Sequence, residues 1–402
     1  MSERPRPAGP WHRTMTGRDP AETHRAATPL ELLFDLCFVV AVAQAAAALH
    51  HKLAEGEVGP GLLGYAMTFF AIWWAWMNFT WFASSYDTDD VPYRLLTLLQ
   101  MAGVLVLAAG VEDALEHYDF AVGTFGYVLM RLAMVAQWLR AAREDPLHRA
   151  STLRYAVGVS LVQAGWVLRL ALPHPLDYIG FAVLVVAELS VPAWAESRGR
   201  VTPWHPQHIA ERYGLFTIIV LGEVILASLN GVRSALTERG ASGGLLLLVV
   251  GGLLLVFGLW WCYFSGPGTR LPTLRRSLVW GYGHYLVFAA MAAVGAGLEV
   301  AVETDGHHTH ISGTAAAWAV AVPVAVVLAA LAGLHRVGGT GAARHPAVVA
   351  AGVAAVLACA AAAGPLTLAG AVAGMGLAVA GTLAVSLALA HHGRSPAPAR
   401  PA

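Results

Sequence analysis

The stretch PLELLFDLCFVVAVAQAAAALH, residues 29–50, decides the fold. Only Glu31 and Asp35 in it are charged, and as a helix rising ~1.5 Å per residue it matches the ~30 Å hydrocarbon core of a bilayer. Comparable apolar runs follow at 60–83, 93–113, 119–141, 150–172, 175–196, 205–229, 243–264, 276–298, 313–334, 346–363 and 366–390. Lipid offers no partner to unpaired backbone groups, so helices are expected, and no alternating ten-residue segments suggest a barrel. The reading is an all-α, polytopic helical membrane protein with about 12 transmembrane helices.

Composition points the same way. Of 402 residues, 57% are hydrophobic and 12% charged, and mean hydropathy is +0.59. Soluble domains carry ~25% charge, so a soluble enzyme, a disordered chain and a secreted disulfide scaffold are excluded. The formal net charge of zero gives no basic surplus for nucleic acid. Cys37, Cys262 and Cys359 lie far apart in apolar runs and form neither a disulfide framework nor a metal spacing. Phosphate-binding loops, dinucleotide fingerprints and zinc-protease motifs are missing, so no cofactor and no metal are expected.

Residues 1–28 are polar, without the apolar core of a signal peptide, and read as a cytoplasmic tail. Residues 29–200 would form a first six-helix half and 201–392 a second, followed by a cytoplasmic tail at 393–402. With the N-terminus inside, twenty Arg and Lys fall in cytoplasmic loops, and only Lys52, Arg169, Arg233 and Arg239 lie outside. That asymmetry places both termini in the cytoplasm of a plasma-membrane protein. Trp73-Trp74-Ala-Trp76 after the first helix and Trp260-Trp261-Cys-Tyr263 after the seventh raise a 6+6 parallel repeat, against chance in an apolar alphabet. The Trp73–Trp81 stretch reads mainly as an interfacial aromatic belt. Tight hairpins are expected at Pro173-His174-Pro175 and at Gly364-Pro365. Residues 313–392, rich in Ala, Val and Gly, read as scaffold helices, with Gly370-x-x-x-Gly374 as a contact for homo-oligomer formation.

Charges inside the apolar runs carry the functional information, because each costs at least ~2.5–3.5 kcal/mol to insert. Glu31 and Asp35 share one helix face, four residues apart. Glu31 also fits a capping box after Thr28-Pro29, which leaves Asp35 unexplained. In the seventh run His208, Glu211 and Arg212 fall near the start, and eleven residues of helix bring Glu223 close to the face of Arg212, ~16 Å deeper. This stripe reads as a polar pathway or, alternatively, as interhelix salt bridges such as Arg212 to an acid of the first helix. Arg131, near the middle of the fourth run, needs an acid among Asp35, Glu188 and Glu223. The acids Glu31, Asp35, Glu188, Glu211 and Glu223 outnumber Arg131 and Arg212, which favours a cation or proton as guest. His284 reads as a packing histidine rather than a relay. Asp305, His307, His308 and His310 form a loop without fixed metal geometry, and His205-x-x-His208 is equally weak.

Thr28-Pro-Leu-Glu31-Leu-Leu-Phe34-Asp35-Leu-Cys-Phe38, His208-Ile-Ala-Glu211-Arg212-Tyr213-Gly214 running on to Gly222-Glu223, and Trp260-Trp261-Cys-Tyr263-Phe264 together resemble the bacterial low temperature requirement A (LtrA) family. The resemblance covers residues 28 to about 390. It implies a membrane-integral fold and points to Glu31, Asp35, Glu211, Arg212 and Glu223, but supplies no substrate. The leading expectation is transport of a small solute or cation coupled to protons, with Asp35, Arg131 and Glu223 meeting around one wet chamber. The alternatives are a membrane sensor or assembly protein with fixed salt bridges, and an integral-membrane enzyme acting on lipid through Glu211, His208 or His284.

Overall fold

Each of the twelve apolar runs forms a helix in the computed structural model, which describes residues 11–20, 22, 25–265, 273–306, 309–338 and 346–392. Thirteen helices occur among the described residues. These are α1 (Pro29–Ala54), α2 (Val58–Tyr86), α3 (Val91–Ala109), α4 (Val111–Glu116), α5 (Ala121–Glu144), α6 (Arg149–Arg169), α7 (Leu176–Ala195), α8 (Pro206–Arg239), α9 (Gly243–Phe264), α10 (Leu274–Asp305), α11 (Gly313–Val337), α12 (Pro346–Ala361) and α13 (Ala363–His392). The added helix, α4, arises because the third run breaks at Gly110, whose N–H turns back to the Leu107 carbonyl.

Ten helices among the described residues are long and apolar enough to cross a membrane. The expected twelve are therefore met for ten. α6 is diluted by Arg154, Gln163 and several hydroxyl side chains, and α12 has only 16 residues against the ~20 a bilayer needs. Burial is inverted relative to a soluble protein. Leu168 and Leu246 are 70% and 66% exposed, whereas Asp35 and Arg212 are fully buried. Apolar side chains facing outward around a charged interior are what a lipid solvent favours.

Contacts divide the chain into two units. The first takes the described residues of Met1–Gln44 and Phe70–Tyr213, the second those of Ala45–Phe69 and Gly214–Ala402. In the first unit α3 and α5 cross on glycines: a Cβ on Gly103 would stand 2.7 Å from the Gly126 carbonyl oxygen, too close for any other residue. Behind that crossing, Gln100 donates to Gln137 at 2.9 Å and Gln137 donates to the Thr97 hydroxyl at 3.3 Å, a buried polar link that sequence patterning did not anticipate. α6 and α7 form the expected antiparallel hairpin, with Gly158 against Val191 and Gly165 against Leu184.

The belt reading of Trp73–Trp81 is corrected here. Trp73, Trp74 and Trp76 are at most 1% exposed and belong to the core, because the indoles of Trp74 and Trp76 donate to buried carboxylates. Trp260 and Trp261, about half exposed, do suit a belt.

The second unit packs through small residues. Gly251 meets the backbone of Ala373, Gly258 meets Val379, and Gly297 meets the backbone of Ala319. The first two contacts advance together along both chains, so α9 and α13 run parallel. Gly352 against Thr382 and Gly374 against Cys359 make α12 and α13 an antiparallel hairpin. The reversal lies between Ala361 and Thr367, and Thr367 takes a left-handed φ of 64°, unusual for a β-branched residue.

Candidate functional site

Two helix starts build the site. At α1 the reciprocal capping box is present: the Thr28 N–H donates to Glu31 Oε2 at 2.8 Å, and the Glu31 N–H donates to Thr28 Oγ1 at 3.3 Å. At α8 the imidazole of His205 plays the cap. Its Nδ1 accepts the His208 N–H at 3.2 Å while its Nε2 lies 2.8 Å from the Glu22 carbonyl, which requires the proton on Nε2.

These caps set two parallel helices side by side in the first unit. Glu31 and Asp35 are four apart on α1, and His208 and Arg212 are four apart on α8, so the pairs meet in register. Arg212 forks onto Asp35, with Nη2 to Oδ1 at 2.5 Å and Nε to Oδ2 at 3.2 Å. Its Nη1 lies 3.0 Å from Glu31 Oε1, and His208 Nε2 lies 3.2 Å from the same oxygen. Trp76 donates its indole N–H to Asp35 Oδ1 at 2.7 Å. Glu31, Asp35, His208 and Arg212 are each at most 1% exposed. His208 Nδ1 makes no hydrogen bond in this buried place, which leaves one ring nitrogen free while the other meets Glu31.

Sequence reasoning missed three contributors. Arg25, ahead of α1, reaches back to the Ala83 carbonyl at 2.7 Å, to the Ser84 carbonyl, and to Glu31 and Asp87 at 3.7 and 3.8 Å. The fully buried Tyr93 hydroxyl has no hydrogen-bond partner and lies in the field of Glu31, Asp87, Arg25 and Arg212. Asp87, just past α2, is the third acid. The segment before α1 gave little signal because it reads as a polar tail, yet its backbone is stitched down: the Arg13 N–H donates to Asp90 at 2.8 Å and the Gly17 N–H to Asp145 at 3.1 Å.

Burial and the Glu31 carboxylate push Asp87 up to about 6, against the pull of Arg25 and Arg18. Its folded value thus exceeds the 3.8 of a free aspartate, and the folded state holds the extra proton between those two values. Stability from this group is full below about pH 4 and is lost as pH rises through 6, by up to about 3 kcal/mol. Unfolding in mixed micelles between pH 4 and 7 should show that slope, and Asp87→Asn should flatten it.

The remaining candidates lie elsewhere. Arg131 pairs with Glu188, Nη2 to Oε1 at 3.1 Å, and Glu188 also accepts the indole N–H groups of Trp74 at 2.7 Å and Trp166 at 3.1 Å. Glu211 is exposed and among the described residues accepts only the Ala27 N–H, at 3.3 Å, so it stands outside the buried cluster. Glu223, in the second unit, is partly buried and has no hydrogen-bond or ion-pair partner among the described residues. His284 lies 2.8 Å from the Trp280 carbonyl through Nδ1 and 3.1 Å from the Tyr263 hydroxyl through Nε2, as a packing histidine would. No group of three or more His, Cys, Asp or Glu residues that could hold a metal occurs among the described residues. His307 and His308 lie outside them.

The residues that form the cluster are those of the two helix-start motifs, and the model of the bacterial low temperature requirement A protein (LtrA) family matches residues 26–385, spanning both. The chain belongs to the LtrA family. It is accordingly a multi-pass membrane protein. An uncharacterized protein from Rhizobium meliloti (strain 1021) is 28% identical over 274 residues. That alignment covers 63% of this chain and 64% of the relative, slightly under two thirds of its length. No solved structure matches this LtrA protein.

Proposed function

We propose that this LtrA protein transports a small solute or cation coupled to protons, with Glu31, Asp35 and His208 as the proton-exchanging groups and Arg212 as their fixed countercharge. Supporting this reading is one observation above the others: two buried acids share one guanidinium, and a histidine with a free ring nitrogen touches one of them. A proton delivered to Asp35 weakens its hold on Arg212 and loosens α1 from α8, which couples protonation to helix movement. Glu223, a partly buried carboxylate of the second unit, is the further acid assigned to coupling in this reading. The rest of the proposal is topological: twelve crossings in the plasma membrane, with α6 and α12 sheltered by their neighbours, both termini cytoplasmic, and two related halves.

The test uses proteoliposomes loaded with a pH-reporting dye and given an inward proton gradient under a potassium–valinomycin clamp, with a panel of small cations and solutes added in turn. Wild-type protein should acidify the lumen when a transported solute is supplied, and Asp35→Asn and Glu223→Gln should each abolish this while folding normally. Solute-dependent acidification that persists in both variants would refute these roles.

The Arg131–Glu188 pair favours a second reading for its own part of the molecule. Its carboxylate is fully engaged by Arg131, Trp74 and Trp166, as a fixed structural bridge would be. If the α1–α8 cluster behaves likewise, the protein is a sensor or assembly component that moves nothing.

A further inference from the structure

Seven charged side chains of the first unit stand in alternating order between the buried cluster and the surface. From Asp35 the links run to Arg212 at 2.5 Å, to Glu31 at 3.0 Å, to Arg25 at 3.7 Å and to Asp87 at 3.8 Å. From Asp87 they continue to Arg18 at 3.7 Å and to Glu22 at 2.8 Å. Exposure rises in the same order. The side chains of Asp35 and Arg212 are fully buried, that of Asp87 is 4% exposed, and those of Arg18 and Glu22 reach 30% and 39%. The ladder therefore joins the buried acids to water.

Its rungs at Asp87 are loose. Both guanidiniums that face this acid stand beyond hydrogen-bond length, and its carboxylate accepts no hydrogen bond among the described residues. Arg25 is meanwhile committed to the carbonyls of Ala83 and Ser84. The other charged or titratable groups facing Asp87 are Glu31 of α1, Asp89 with its partner Arg94, and Tyr93 of α3. Burial, then Glu31, raises Asp87 to about 6, so it gains and loses a proton near neutral pH while the arginines stay charged. The Tyr93 hydroxyl, buried and without a hydrogen-bond partner, feels both Asp87 and Glu31. A hydroxyl both accepts and donates, which neither guanidinium does.

We propose that Asp87 is the port through which protons enter and leave the α1–α8 cluster, with the Tyr93 hydroxyl as the bridge to Glu31. A proton from water binds the Asp87 carboxylate. Asp87 then gives it to the Tyr93 oxygen as the Tyr93 hydroxyl proton passes to Glu31, so Tyr93 ends unchanged and one proton has moved inward. Arg18, Arg25 and Arg212 stay protonated throughout. This inference rests on the reading above, that Glu31 and Asp35 exchange protons, and adds the route they use.

Rapid-scan infrared spectroscopy of the reconstituted full-length protein after photorelease of caged protons tests it. The readout is the rate and final size of the protonated-carboxyl component that Asp35→Asn removes. Asp87→Asn should slow its formation about a hundredfold with the final size kept, and Asp87→Glu should restore most of the rate. Tyr93→Phe, which removes the hydroxyl but no ion pair, should slow it about a hundredfold as well. A purely structural ladder predicts the opposite sign for Asp87→Asn, because releasing Arg18 and Arg25 admits water and speeds protonation. An unslowed rate in a monodisperse Asp87→Asn or Tyr93→Phe protein, or no recovery in Asp87→Glu, would overturn the port and leave the role of Glu31 and Asp35 standing. No such component in wild type would overturn both.

Discussion

Arg212→Leu should be the most damaging single substitution in the chain. It removes the guanidinium that, among the described residues, contacts Asp35, and leaves Asp35 and Glu31 as two close buried acids. Breaking a buried ion pair from one side costs ~3–5 kcal/mol, and here two carboxylates are stranded together. The expected readout is loss of the monodisperse peak in fluorescence-detected size exclusion. Asp35→Asn should be much milder, because Arg212 keeps Glu31 at 3.0 Å and the amide oxygen still accepts from Trp76. Neutralising all three groups, with Arg212→Leu, Glu31→Gln and Asp35→Asn combined, should restore most of the folded yield. A stable Arg212→Leu protein would show that the cluster does not hold α1 to α8.

The second large effect concerns Arg131 and Glu188. Arg131→Met alone leaves a buried carboxylate without its cation and should cost ~3–5 kcal/mol in thermal unfolding. Adding Glu188→Gln removes the charge and keeps an acceptor oxygen for one of the two indoles, which donate to different carboxylate oxygens, so the double variant should recover most of that loss. Glu188→Leu in place of Gln should not rescue as well, since each orphaned indole N–H costs ~1–3 kcal/mol. The double variant should also retain whatever pH response the protein has. A loss of that response with stability intact would move this pair from scaffold to mechanism.

Much of the architecture was legible because lipid imposes it: apolar length and the rule that backbone groups pair within a helix fix element type directly. The count was harder. α6 carries Arg154 and Gln163 inside its span, and α12 stops at 16 residues, so hydropathy alone does not certify either. The site was half legible. Helical periodicity put Glu31 with Asp35 and His208 with Arg212, and one of the two alternatives weighed, a bridge from Arg212 to the first helix, is the arrangement found. Periodicity within one helix says nothing about which neighbour a face meets. That is why Glu223 was aligned with Arg212 although Arg212 turns to α1, and why Arg131 could not be assigned before α7 was seen to bring Glu188. Tryptophan at helix ends reads as belt by default, yet Trp74 and Trp76 are drawn inward because buried carboxylates need N–H donors. Arg25 and Asp87 were invisible for a simpler reason: they sit in segments that composition classes as tail and loop.

The measurement that bears most directly on the α1–α8 cluster is infrared difference spectroscopy of the reconstituted protein across a pH jump, read in the carbonyl region of protonated carboxyl groups. If Glu31 and Asp35 exchange protons, a protonated-carboxyl band should appear on acidification, shift when Glu31→Gln is introduced, and lose its main component in Asp35→Asn. A spectrum in which neither variant changes any carboxyl band would mean that both acids stay ionised against Arg212 throughout, and would contradict the account.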